Sequence, residues 1–303
     1  MKRAYWLLPA VFILLMVAAC GSDRERIGDE LLIAVSVQPH AWLVEQIGGE
    51  RVDVIAILSP GDSPSTYQPT DSQISRVMRA RLFFRTGVPF EHGRWFDTLA
   101  SSGGLEIIDL RAGVELRHME HDHDHEGEEP SGITVEAAEE ESGTDPHIWV
   151  SPALLKIQAH AIADALTSVD PEGSAEYHRR LESLERELDE LGEYIHSRFE
   201  DHQGKAFYVF HPAWGYFAEE FGLNQKAIEI EGKDPSDHDL TIIQEEMRAD
   251  RALVIFIQPQ IGSRAVEAVA DAMGADVKIL DPLVRNVISN LRSVADAIAG
   301  TFR

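Results

Sequence analysis

Eight short apolar runs, most of them followed by a stretch of helical spacing, restrict this chain more than any other feature. Four lie in the first half, at 31–37, 52–58, 82–85 and 106–109, and four in the second, at 206–210, 226–230, 252–257 and 277–280. Near-continuous β-branched runs suit strands buried on both faces, and the helical segments between them supply the crossovers that parallel pairing requires. The expectation is an α/β fold of two lobes, each with a mostly parallel sheet flanked by helices. A chain of 303 residues is long enough for both, at roughly 100–200 residues per domain.

Between the two sets of runs, residues 172–200 carry Tyr177, Leu181, Leu184, Leu188, Leu191, Ile195 and Phe199 at steps of three and four. This spacing predicts one amphipathic helix of about 28 residues, roughly 40 Å long. The stripe is close to heptad spacing, so a coiled-coil dimer seam is the alternative. Packed instead along both lobes of a monomer, the helix is a strut that restricts hinge motion. The expected organisation is a signal segment at 1–19, a tether at 20–29, a first lobe at 30–171, the linking helix at 172–200 and a second lobe at 201–303.

Charge narrows the partners. Against 27 basic residues stand 52 acidic ones, a net −25, together with 13 histidines. Nucleic acid is excluded, because phosphate neutralisation needs clustered Lys and Arg, and cations are the natural partners. Residues 115–141 alone hold eleven acids, one arginine and four histidines, His118, His121, His123 and His125. With few apolar residues, this stretch reads as an exposed loop, either simply solvated or an auxiliary collector of metal. A single cysteine excludes an intrachain disulfide and any multi-cysteine zinc site.

That cysteine has another use. Lys2 and Arg3, an apolar stretch at 5–17, and Ala18 and Ala19 compose an export signal ending at Cys20. The segment Val17-Ala18-Ala19-Cys20 resembles the lipobox of bacterial lipoproteins, which implies lipidation of Cys20 and an exported protein anchored to a membrane of the cell envelope.

In open α/β sheets ligands bind beyond the carboxyl ends of the strands. There the chain carries Pro39-His40, the loop 59–67, His211-Pro212 and Asp281-Pro282, with His147 in Asp145-Pro146-His147-Ile148-Trp149. Each His-Pro or Asp-Pro pair is expected at a strand-to-helix corner, since Pro is favoured in a first helical turn. Any one such histidine can be a polar residue satisfied at a helix end. Three imidazoles and a carboxylate converging on one cleft would suit tetrahedral Zn²⁺ or a similar divalent ion.

Five ordered motifs carry a more specific signal: residues 60–70 (PGDSPSTYQPT), 145–149 (DPHIW), 210–214 (FHPAW), 231–235 (EGKDP) and 280–283 (LDPL). From residue 31 to 303 the chain resembles the metal-binding lipoproteins of ABC importers for zinc and manganese, the cluster 9 (A-I) solute-binding proteins. The resemblance implies two α/β lobes joined by a long helix, a metal in the cleft between them, and delivery to an ABC permease driven by its ATPase. Carried over by motif, the ligands fall on His147, His211 and Asp281. The family's first ligand, commonly a histidine between the proline and the aromatic of Pro-x-x-Tyr, falls on Ser65, a poor zinc ligand, and His40 at the end of the first run is the candidate substitute. Imidazole at His211 favours Zn²⁺ over Mn²⁺. Two competing functions remain: a zinc enzyme with an open coordination position, and a surface adhesin lipoprotein. Against the enzyme, the chain contains no His-Glu-x-x-His, Gly-x-Ser-x-Gly or phosphate-loop motif.

Overall fold

The structure, a computed structural model, describes residues 30–119, 143–229, 233, 235–260 and 263–302. The signal segment with Cys20, and His121, His123 and His125, lie outside these residues. The first lobe comprises β1 (Leu31–Val35), α1 (Gln38–Gly48), β2 (Val52–Ala56), α2 (Asp71–Val77), β3 (Leu82–Arg85), α3 (Arg94–Ser101), β4 (Glu106–Asp109) and α4 (Pro152–Val169). After α5 (Ser174–Phe199), the second lobe comprises β5 (Ala206–Val209), α6 (Gly215–Glu220), β6 (Asn224–Ala227), α7 (Asp237–Ala249), β7 (Val254–Ile257), α8 (Ser263–Met273), β8 (Asp276–Ile279) and α9 (Val287–Ala299).

Each lobe holds a four-stranded sheet with every neighbouring pair parallel, ordered β2-β1-β3-β4 in the first and β6-β5-β7-β8 in the second. The order is the same in both lobes. All five residues of β1 are buried, as a central parallel strand covered on both faces requires. In β5 the pleat divides the side chains: Phe207 and Val209 enter the main core, while Tyr208 and the following Phe210 enter a smaller cluster with Ile228, Ile243 and Ile255.

The predicted long helix is α5, of 26 residues, extended by 3-10 turns at Pro171–Gly173 and Glu200–His202. Its seven predicted apolar residues are all buried, and it packs against α1 and α4 of the first lobe and α9 of the second. The apolar stripe is therefore covered within the chain, which removes the reason for a coiled-coil seam. At its start, Asp170 accepts the Tyr177 hydroxyl at 2.7 Å and pairs with Arg51 at 2.6 Å, fastening α5 to the first lobe. One apolar core runs from the first sheet along α5 into the second lobe. Among the described residues no helix is long and apolar enough to cross a membrane.

Candidate metal centre

His147 precedes α4, just before a 3-10 turn at Ile148–Val150. Its neighbour two residues back fixes it. One oxygen of Asp145 accepts both the His147 backbone N–H at 2.9 Å and the ring Nδ1 at 2.7 Å. A carboxylate can only accept, so Nδ1 carries a proton, and Nε2 is the nitrogen through which this ring can bind a metal. Asp145 and His147 are both buried, which holds this pairing against exchange with water.

The second lobe repeats the device by a different route. His211 follows β5 and Glu229 follows β6, and the parallel register pairs residues of these strands 18 apart, from Ala206↔Asn224 to Val209↔Ala227. Continued two residues further, that register sets Glu229 opposite His211, and His211 Nδ1 meets Glu229 Oε1 at 2.5 Å. Again Nε2 is left for a ligand. Neither Asp145 nor Glu229 is among the residues expected from sequence; the constant offset of 18 is the signal that identifies Glu229.

The two imidazoles, one from each lobe, come together with ring centroids 5.3 Å apart. Several bonds hold the lobes in this relation. Trp149 Nε1 donates to the Pro282 carbonyl at 2.8 Å, and the Tyr216 hydroxyl donates to the Asp145 carbonyl at 3.0 Å. Glu220 accepts from the Ser151 hydroxyl and from the Ala153 N–H at 3.2 Å at the start of α4, and its burial pushes its carboxyl pKa up. Arg285 reaches across to Gln38 at 2.5 Å and to Glu45.

The remaining expected site residues are placed less directly. Asp281 is half-buried, and its Oδ1 accepts from the Leu283 N–H at 2.9 Å and Gln260 Nε2 at 3.1 Å. This local turn also explains why Asp281-Pro282 does not open a helix. The helix α9 starts only at Val287, capped by Asn286, and α6 likewise starts at Gly215 beyond His211-Pro212. Ser65 is exposed in a turn where Thr66 and Tyr67 donate to the Ser63 carbonyl. His118 is exposed and bridged to Thr144. Among the described residues no three His, Cys, Asp or Glu side chains lie together closely enough to hold a metal; what the structure brings together is the imidazole pair.

His40 requires a correction. It lies in the first turn of α1 and is wholly buried, with Nδ1 bonded to Thr86 Oγ1 at 2.9 Å and Nε2 to Gln158 Oε1 at 2.6 Å. Both ring nitrogens are engaged inside the first lobe, leaving no lone pair for a metal. Burial lowers its pKa to about 4, so it is a neutral core residue.

Capture of a metal ion between two firmly joined lobes is the task of the solute-binding proteins of ABC importers, and the fold with its paired imidazoles puts this chain in that class. Residues 33–300 match the family model ZnuA, described as zinc-uptake complex component A, periplasmic, and the chain belongs to that family. It is 27% identical over 281 residues to the high-affinity zinc uptake system protein ZnuA of Bacillus subtilis, covering 89% of this chain and 85% of that protein. The protein of the same name from Yersinia pestis is 26% identical over 267 residues, covering 84% of each. A crystal structure of ZnuA superposes with a TM-score of 0.79 at 31% identity, covering 90% of this chain and 99% of that one. The chain is thus an extracytoplasmic metal-binding component of an ABC importer, a transport protein, and the zinc-enzyme and adhesin alternatives are not favoured.

Proposed function

We propose that the cargo is Zn²⁺, bound by Nε2 of His147 and Nε2 of His211, with the Asp281 carboxylate joining them on capture, and that the loaded protein passes the ion to an ABC permease. The observation that carries this reading is the pair of imidazoles 5.3 Å apart, each with Nδ1 tied to a carboxylate. A nitrogen-rich site of low coordination number suits Zn²⁺ better than Mn²⁺, which prefers oxygen donors and more of them. The matched family, described as a zinc-uptake component, and the zinc uptake proteins among the relatives support the same reading. With Ser65 at the family's remaining ligand position, water fills the fourth place. His118, His121, His123 and His125 form a weaker collector, because a loop must lose chain entropy to chelate. A lipid on Cys20 tethers the protein, which acts as a monomer.

Elemental analysis and a chelator-competition titration test this reading on the stripped and reloaded chain, with and without residues 117–129. One tightly held zinc per chain is expected in both, lost in His147→Ala and in His211→Ala. A reloaded chain that holds no zinc would refute it.

A further inference from the structure

A buried polar chain leads from the ends of the first-lobe strands to the loop that carries His147. Ser36, just beyond β1, donates its hydroxyl to Glu91, whose carboxylate also accepts the N–H groups of Thr86 at 3.0 Å and Gly87 at 2.8 Å. Gly87 has φ +82°, a backbone conformation that glycine adopts without strain. Thr86 then meets His40 Nδ1, His40 Nε2 meets Gln158 Oε1, and Gln158 Nε2 donates to the Ile148 carbonyl at 2.9 Å, one residue from His147. Ser36, His40, Thr86, Glu91 and Gln158 are all buried.

The directions along this chain are fixed by its end. A carbonyl only accepts, so the Gln158 amide donates there and turns its oxygen to His40. His40 Nε2 must therefore carry the proton, and Nδ1 accepts from the Thr86 hydroxyl. A second route is aromatic. The His40 ring lies edge-on to Trp149 at 5.6 Å, Trp149 lies 5.3 Å from the His147 ring, and the Trp149 indole N–H holds the Pro282 carbonyl next to Asp281.

We propose that His40 is a positioning residue of the metal site. Through Gln158 and Trp149 it sets the pose of His147, and through Trp149 it sets the first-lobe loop against Asp281. A neutral imidazole suits the place because it accepts at one end, donates at the other and presents a flat edge to the indole. This rests on the reading of His147 as a zinc ligand.

The test compares the full chain with His40→Phe, Thr86→Val and Thr86→Ser, in two measurements. One is the zinc Kd by chelator competition; the other is the ring ¹H–¹⁵N spectrum of His147 in metal-stripped protein. His40→Phe should raise Kd about tenfold and move the His147 ring signals. Thr86→Val should do both to a lesser degree, and Thr86→Ser, which keeps the hydroxyl, should restore the parent values. A merely structural role would lower the urea midpoint while leaving Kd and the His147 signals of the folded protein unchanged, and that result overturns the proposal. Should His40→Phe fail to fold, the Thr86 pair decides it. If the parent binds no zinc, the metal reading fails, and the His147 signals still decide the positioning: moved they support it, unmoved they overturn it.

Discussion

Asp145 and Glu229 act on the proposed site through the histidines they hold. Each fixes which nitrogen of a histidine carries the proton, and partners of this kind typically contribute 10–100-fold in metal affinity. Glu229→Ala should therefore weaken zinc binding by about that factor with the stoichiometry kept at one, read by competition titration. His40 predicts a different quantity. Its folded pKa is about 4 against an ordinary 6.5, so between these values the unfolded chain binds more protons. Stability must then fall as pH drops from 6.5 towards 4, by up to ~3 kcal/mol from this residue. Glu91, whose carboxyl burial pushes up, works in the opposite sense, since the folded state holds that proton longer. It is common to parent and variant, so His40→Gln should flatten the acid limb of a urea-unfolding series by close to one proton. At this scale the sequence was informative in part. His147 and His211 stood in recognisable motifs, whereas Glu229 becomes a partner only through strand register. His40 misled because ligands and buried polar residues share strand ends; its helix gave a warning, since Pro39, His40, Ala41, Trp42, Leu43 and Val44 are buried in succession.

Among elements, α5 was the most legible, because a stripe of seven apolar residues at helical steps can be covered in few ways. All seven are buried, against helices of both lobes. Truncating its middle should be costly: Leu188→Ala should lower unfolding free energy by about 2–5 kcal/mol, measured by urea titration. The central strands were equally legible, since buried parallel strands must be written as apolar runs, while the edge strand β8 carries its apolar residues exposed. Strand ends were not. The run at 226–230 shifts to Asn224–Ala227, and the His-Pro and Asp-Pro corners open onto loops: after His211-Pro212 the Trp214 N–H is held by Gln225 of β6 at 2.6 Å, and at Asp281-Pro282 the Leu283 N–H turns back onto Asp281.

For the whole molecule, the shared helix and the bonds across the lobes limit how zinc can be enclosed. Two lobes fastened by α5, Trp149–Pro282 and Arg285 cannot swing far apart, so capture should be accomplished by side-chain and loop adjustment around Asp281. Small-angle X-ray scattering of stripped and zinc-loaded protein should give superimposable curves; a contraction on loading would mean that the lobes hinge. The net charge of −25 adds a general attraction for cations, strongest at low ionic strength.

The continuous core has a consequence for how the molecule comes apart. Because the same apolar cluster includes Ile33 of β1, Leu188 of α5 and Phe207 of β5, neither lobe can lose its interior without stripping the face of α5 that supports the other. Melting should be cooperative across the lobes, with hydrogen exchange of β1 and β5 in graded urea giving one midpoint; two separated midpoints would mean that the lobes part independently. A lesion in either sheet would then be felt at the distant one as loss of the same fold.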